Sequence, residues 1–481
     1  MIALRTGELA ELLGGRLVPG LGAVHDPEAE VSGSVQTDSR LVEEGSIFFA
    51  LPGAETDGHR FAAAAAEAGA ALVVAERELE LPIPQILVPS GVEALQTLAR
   101  EVVARVRALG RLRVAAVTGS NGKTTTKNLL EAVLAEHGPT VAPVKSFNNE
   151  VGAPVTFLRV DEGTDFLVAE MGASYVGDIA RLIRIVTPDV GIVLKVGMAH
   201  AGEFGGIEQT QRAKSEMVTD LPPEALAVLN ADDPRVMAMA SMTRARVVTF
   251  GAAAGADLRA VDIATDLEGT RFTLLVDGGR YPVRMRILGE HHVANALATL
   301  AVAREFGLPL EAAIARIGEV ARAERGRMEL LEGDPEQGFG GVTVIDDAYN
   351  ASPDSMAAAL KTLAALRGEG RRTVAVLGEM SELGEFAQEE HDRIGRLAVR
   401  LDIGQLVVVG DGARHIHLAA AHEGSWDGES RFVPDAQAAY DLLSEFLRAG
   451  DVVLVKSSNS AKLRFLAERI AGVPEAVTAA W

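Results

Sequence analysis

The chain contains no cysteine among its 481 residues. Disulfides, thiolate-bound metals and cysteine nucleophiles are therefore excluded, and any metal or covalent chemistry must rest on oxygen and nitrogen groups. Aromatic residues are scarce at 4%, with only 2 Trp and 4 Tyr, which leaves few platforms on which bases could stack. Positive charge is short as well: 46 Lys and Arg stand against 67 Asp and Glu, for a net charge of −21. Binding nucleic acid by neutralising phosphates needs clustered cations, so no nucleic-acid partner is expected. No apolar run approaches the roughly 18–20 residues that cross a bilayer. Met1-Ile2-Ala3-Leu4-Arg5 lacks the apolar core and cleavage site of a signal peptide. The expectation is a cytoplasmic protein without a membrane span. Its anionic ligands would be held by local loops, helix ends and metal ions.

What the sequence does contain is typical of a globular chain: 48% hydrophobic residues, 23% charged residues and 49 glycines, with a mean hydropathy of +0.16. Its length is too great for one core and suggests about three domains. One stretch stands out, Val114-Ala115-Ala116-Val117-Thr118-Gly119-Ser120-Asn121-Gly122-Lys123-Thr124-Thr125-Thr126. An apolar run breaks at two glycines and restarts with helical spacing through Leu129, Leu130, Val133 and Leu134. Strand, glycine loop and helix in that order make a cradle for polyphosphate, because loop N–H groups and the helix N-terminus both favour negative charge. Lys123 would reach the terminal phosphates and the Thr124 hydroxyl would ligate magnesium. The usual loop has four residues between its glycines and this one has two, so it is a shortened variant.

The rest of the chain divides around that loop. Residues 1–88 read as a small α/β unit that ends in the proline-punctuated stretch Leu81-Pro82-Ile83-Pro84. On spacing alone, Ser39, Arg40 and His59 are ordinary loop residues. Residues 89–321 alternate strands and helices, the pattern of a parallel sheet covered on both faces. Two of those strands end in chemically loaded residues, Glu170 and His200. Ligands of open α/β sheets gather at the carboxyl ends of strands, so a carboxylate and an imidazole there are suitable magnesium partners. The Gly- and Asp-rich region from Gly251 to Gly279 suggests a small hairpin insertion. Asn148 and Asn149 read as turn or capping residues and Lys214 as a solvated helix lysine. His291 and His292 are helix neighbours, which do not face the same way, so a shared ion is not expected. Residues 322–481 form another α/β unit, with polar strand ends but no phosphate loop, as in a lid or partner domain.

Taken together these stretches resemble the Mur ligases, ATP-dependent amide-forming enzymes of peptidoglycan precursor synthesis, over nearly the whole length. Thr118 to Thr125 is similar to the family's nucleotide loop, Glu170 and His200 to its metal-binding acid and histidine, and Asn148-Asn149 to its asparagine motif. Phe147 to Pro154, Asp346 to Pro353 and Leu377 to Gly384 resemble the branch that adds D-alanyl-D-alanine to UDP-N-acetylmuramoyl-tripeptide. Asp38-Ser39-Arg40 and Asp57-Gly58-His59 resemble its uridine-nucleotide-binding domain.

The resemblance implies a three-domain α/β fold: a small N-terminal substrate domain (1–88), a central P-loop ATPase domain (89–321) and a Rossmann-like C-terminal domain (322–481). It implies ATP and magnesium, two ions of it, as cofactors, the tripeptide nucleotide and D-alanyl-D-alanine as partners, and a monomer. Gly119, Ser120, Asn121, Gly122, Lys123, Thr124 and Thr125 would bind the nucleotide with Asn295, Arg327, Asp347, Tyr349 and Asn350. Thr124, Glu170, His200 and Lys214 would serve the metal, Lys214 as a carbamylated lysine. Lys123, His200, Lys214 and Glu170 would carry catalysis. Ser39, Arg40, Asp57, His59, Asn148, Asn149 and Lys456 would bind substrate, with Lys456 and the serines after it facing the incoming amine. Two positions depart from the family pattern: His292 stands where asparagine is usual, and Lys456-Ser457-Ser458-Asn459 replaces Lys-Gly-Ser-Arg.

Overall fold

Strands form at the valine-rich runs, because β-branched side chains pack well on a pleated surface covered from both sides. The computed structural model describes all residues except 23, 25, 54, 55, 145, 199–201, 203, 204, 321–324, 369, 370, 425–428 and 475–481. Its largest sheet has nine strands. Arg113–Thr118 lies inside it, between Phe166–Glu170 on one side and Val190–Val193 on the other, parallel to both. The chain leaves Arg113–Thr118 toward one edge of the sheet and leaves Val190–Val193 toward the other, so the crevice between these strand ends is one at which open α/β sheets bind ligands. Register sets Glu170 beside Val117 and Val193 beside Thr118, so the strand ends are level.

Alternation along each strand separates two cores. Val114, Ala116, Leu167 and Ala169 pack with Leu95, Leu98, Val102 and Val106 of the helix Gly91–Ala108. Ala115, Val117 and Val168 pack on the other face, against Leu129, Leu130 and Val133 of the helix Lys123–Ala135 and Val293, Ala296 and Leu297 of the helix His291–Glu305. Ser90 starts the first of these helices by accepting the Glu93 N–H at 3.3 Å. Leu4, Leu9, Ile47 and Phe49 belong to the same core as that helix, a core continuous from the first unit to the central sheet.

The first unit has a five-stranded sheet in the order Arg16–Val18, Gln85–Leu87, Leu72–Ala75, Ile47–Phe49, Val35–Gln36. The last unit has six strands, ordered Glu329–Glu332, Thr343–Asp346, Val452–Lys456, Thr373–Leu377, Gln405–Val409, Ser430–Val433, and all but the first pairing are parallel. Ser352 and Ser355 form a capping box at the start of its helix Pro353–Ala365.

Two elements differ from the sequence-based expectation. The region after Gly251, expected as a small hairpin insertion, holds antiparallel hairpins that are larger and continuous with the central sheet. Leu258–Asp266, Gly269–Val276 and Gly279–Met285 extend the central sheet as an antiparallel meander. Phe272, Leu274, Val283 and Met285 are buried along it, and a strand with a buried face stays on the sheet. The strand expected to run into His200 ends at Val193, because the next residues are captured by the phosphate loop and by Asp233. Among the described residues no helix is long and apolar enough to cross a membrane.

Candidate active site

The phosphate loop is shaped by its glycines. Gly122 has φ +86°, and a Cβ there would lie 2.5 Å from Asn295 Oδ1, so a side chain is excluded by both backbone and space. Gly122 also starts the helix Lys123–Ala135, with no capping side chain among the described residues, which leaves the first-turn N–H groups open. Lys123 folds back over the loop and donates to Gly119 O at 2.8 Å. Burial lowers its pKa, an effect the Glu170 carboxylate opposes.

Glu170 closes the neighbouring strand and is buried. Its Oε1 accepts from Asn148 Nδ2 at 2.7 Å and from Thr124 Oγ1 at 3.4 Å. Its Oε2 is buried with no hydrogen-bond partner among the described residues. An orphaned carboxylate oxygen beside a loop hydroxyl is a hard, anionic donor set that fits magnesium, an ion held by one or two carboxylates together with phosphate oxygens and water. His200 lies outside the described residues, and among those described no three His, Asp or Glu side chains form a metal cluster.

Lys214 is not a solvated helix lysine. It sits on the helix Ile207–Thr219 with 3% of its surface exposed. With Gly119, Ser120, Lys123, Asn148 and Asn149 it lines a cavity of about 540 Å³. Burial, with the Lys123 charge adding to it, lowers its pKa to about 7. The two asparagines divide their work: Asn148 holds Glu170, whereas Asn149 Oδ1 accepts the Gly152 N–H at 2.8 Å and braces the turn into the helix Gly152–Phe157.

A second cavity, about 850 Å³, opens between the central sheet and the last unit. Ser120, Asn121, Gly122, Lys123, Thr124 and Thr125 form one wall, and Asn295, Arg327, Asp347, Tyr349 and Asn350 line it with them. Asn295 is buried and its Nδ2 lies 3.1 Å from His292 Nδ1, so the histidine that departs from the family pattern orients the retained asparagine. The rings of His291 and His292 come within 4.0 Å, closer than helix neighbours ordinarily project. The Arg327 guanidinium lies 4.4 Å above the Tyr349 ring.

Lys456 lines the same cavity but is buried. It pairs with Asp347 Oδ2 at 2.7 Å and donates to Asn350 O at 2.8 Å, bracing the loop that carries Tyr349. Ser457 and Ser458 turn inwards and are buried, so they do not face the cleft. In the first unit, Asp38 caps the turn of Ser39 and pairs with Arg40 at 2.6 Å. Asp57 pairs with Arg77 at 2.6 Å and lies 2.6 Å from His59 Nδ1, while His59 Nε2 accepts the Glu76 N–H at 3.0 Å. His59 is buried with both ring nitrogens engaged, so it shapes its loop from within. None of these residues lines either cavity.

Three residues at the site carried no chemical signal in the sequence. Ser146 Oγ lies 3.2 Å from Thr124 Oγ1. Asp233 caps a helix with one oxygen and accepts the Val196 N–H with the other, at 2.9 Å. Asp354 pairs with Lys195 at 2.9 Å. The sequence marks Asp233 and Asp354 only as acids flanking a proline at a helix start.

A phosphate loop beside a buried strand-end carboxylate, in a sheet of this topology and roofed by a second α/β unit, defines a class. Residues 33–114 match the Mur ligase family, catalytic domain; 117–303 match the Mur ligase middle domain; and 326–459 match the Mur ligase, glutamate ligase domain. The chain belongs to the Mur ligase family, with that family's three-domain fold. It is 44% identical, over 98% of both chains, to the UDP-N-acetylmuramoyl-tripeptide--D-alanyl-D-alanine ligase of Mycobacterium tuberculosis. Among solved structures it is similar to MurF from Acinetobacter baumannii, with a TM-score of 0.86 and 29% identity over 98% of this chain and 99% of that one. It is also similar to MurF ligase from Thermotoga maritima in complex with ADP, with a TM-score of 0.80 and 29% identity over 93% and 99% of the two chains.

Proposed function

We infer that the protein is an ATP-dependent ligase that joins D-alanyl-D-alanine to the terminal carboxylate of UDP-N-acetylmuramoyl-tripeptide in peptidoglycan precursor synthesis, and so serves cell-wall growth and division. The observation that carries this reading is likeness over the full length of the M. tuberculosis ligase, N-terminal unit included. A folate-type ligase matches only 78% of this chain, and sister Mur ligases share most of its length at 20% identity or less, against 44% for the tripeptide ligase. ATP as co-substrate puts the reaction in the cytoplasm. Both walls of the large cavity come from one chain, so a monomer suffices.

In this reading residues 1–88 hold the uridine nucleotide, with Ser39, Arg40, Asp57 and His59 shaping its loops. Residues 89–321 hold ATP, and residues 322–481 close over it. The smaller cavity, beside Lys123, Asn148 and Lys214, takes the end of the tripeptide. The larger one takes ATP, with Asn295 and Arg327 at the nucleoside and the Gly119–Thr125 loop at the phosphates.

The tripeptide carboxylate attacks the γ-phosphorus of ATP, the bond to the β-phosphate oxygen breaks, and an acyl phosphate and ADP form. Lys123 and the open N–H groups of the loop spread the charge that develops on the transferred group. The dipeptide amine then attacks the acyl carbon, loses a proton, and phosphate departs from the tetrahedral intermediate. Thr124 and Glu170 would hold magnesium, joined by His200 and a carbamylated Lys214. Bound there, it supplies Lewis-acid stabilisation of phosphate oxygens. The neutral amine favoured at Lys214 is the form that takes up CO2.

Phosphate release with the tripeptide nucleotide, comparing D-alanyl-D-alanine with single L-amino acids, tests the assignment. Turnover with one L-amino acid and none with the dipeptide would sink it. No phosphate release above background with any amine acceptor would favour a non-catalytic nucleotide-binding protein. Lys123→Ala should cost about two orders of magnitude or more in rate.

A further inference from the structure

Leu194 to Met198, which follow the strand Val190–Val193, are held residue by residue. Leu194 N donates to Thr118 O at 3.0 Å and Ser120 N to Lys195 O at 2.8 Å. Val196 N donates to Asp233 Oδ2 at 2.9 Å and Gly197 N to Ser120 Oγ at 2.9 Å. All those partners belong to the central domain. The next one does not. Met198 N donates to Asp354 Oδ2 at 3.1 Å, and Lys195 Nζ meets Asp354 Oδ1 at 2.9 Å.

Asp354 stands in the first turn of the helix Pro353–Ala365, in the C-terminal domain. The residue that caps this helix also reaches the phosphate loop, since Ser352 Oγ donates to Asn121 Oδ1 at 3.1 Å. Beyond His200 the pattern recurs: Gly202 N donates to Glu382 O at 3.0 Å, again in the C-terminal domain. Gly197 leaves room for this contact, because a Cβ there would lie 2.1 Å from Asp354 Oδ2.

We propose that Asp354 is a positioning residue for phosphoryl transfer: through it and the Glu382 carbonyl, the docked C-terminal domain fixes both flanks of the short segment that carries His200. The inference rests on the ligase reading, in which His200 serves the metal. It ties assembly of the phosphoryl-transfer site to domain docking, so that the reactive acyl phosphate forms only under cover. A carboxylate suits the task because one oxygen takes a backbone N–H while the other takes an ammonium. Asparagine keeps an acceptor for Met198 and loses an ion pair that is half in solvent and of small worth. Alanine loses both.

The test uses the full chain with Asp354→Ala, Asp354→Asn and Gly197→Ala. Asp354→Ala should lower kcat about 100-fold, the scale of a small misplacement at a reacting centre. The magnesium concentration for half-maximal rate should rise about tenfold, and ADP affinity by calorimetry should stay within about twofold. Asp354→Asn should retain kcat within about fivefold. Gly197→Ala should reproduce the Asp354→Ala profile, and the double variant should be no worse than the more severe single one. Unchanged kcat and magnesium dependence in Asp354→Ala overturn the proposal. So does an Asp354→Asn variant as impaired as Asp354→Ala with an unaltered magnesium profile. If Asp354→Ala does not fold, Gly197→Ala decides: a magnesium profile like that of the unmodified protein overturns the proposal. An unmodified protein that forms no amide with any amine refutes the ligase reading instead.

Discussion

Asn148 and Glu170 are joined by one hydrogen bond of 2.7 Å, from the asparagine amide to Oε1, and the other carboxylate oxygen is left buried and unpartnered among the described residues. The asparagine therefore fixes which oxygen of Glu170 remains for a ligand. Glu170→Gln, which removes the charge and keeps the shape, should lower phosphate release about 100-fold or more and raise the magnesium requirement. Asn148→Ala should cost about tenfold by freeing the carboxylate to rotate. Steady-state rates across a magnesium titration check both; a Glu170→Gln variant with normal magnesium dependence would remove this residue from the metal site.

Gly122 lies at φ +86° with Asn295 Oδ1 placed where a Cβ would go. Gly122→Ala should lose about 1–3 kcal/mol of stability through backbone strain, and ADP affinity should fall about tenfold or more as Asn295 is displaced. Denaturant unfolding and calorimetry read the two effects separately. Intact ADP binding in Gly122→Ala would show that the loop tolerates the shift.

Lys214 has its pKa lowered to about 7 by burial. Below that pH the ammonium prevails, and above it the neutral amine, which alone adds CO2. Turnover in bicarbonate buffer should therefore rise between pH 6 and pH 8, and stripping bicarbonate at pH 8 should lower it. Lys214→Arg, which cannot form the carbamate, should be impaired about 100-fold and insensitive to bicarbonate. A rate indifferent to bicarbonate in the unmodified protein would rule the carbamate out.

Asp346 is buried beside Asp347, Glu329 and Glu468, and burial raises its pKa to about 7. A carboxyl whose folded pKa is raised stabilises the fold below its unfolded pKa of 3.8, and that contribution is lost as pH rises through 7. Asp346→Asn keeps the acceptor for the Ala348 N–H, 3.0 Å away, and carries no charge. Its urea midpoint should exceed that of the unmodified protein at pH 8 and match it at pH 4. An equal shift at both pH values would contradict the raised pKa.

Much of the site was legible in the sequence because it is built locally. The strand into Thr118, the two glycines and the helix from Lys123 are contiguous, and their hydrogen bonding and φ values follow from neighbours in the chain. Glu170 could be placed by a rule about strand ends, since parallel strands in register bring their last residues level. The three-domain α/β order was likewise legible from alternating strand and helix patterns broken by proline and glycine.

What only the tertiary structure decided depends on contacts between distant residues. A helical lysine looks solvated until packing buries it, as at Lys214. Lys456 faces inwards because Asp347 and Asn350, more than a hundred positions earlier, supply its partners. Asn148 and Asn149 look alike in sequence and differ because only one reaches Glu170. Asp354 reads as a first-turn helix acid, yet it sits against Met198 and Lys195 because two domains meet there. Local spacing determined the phosphate loop, whereas the neighbours of each charged group were set by how the sheets and domains pack, which chain-local propensities do not encode.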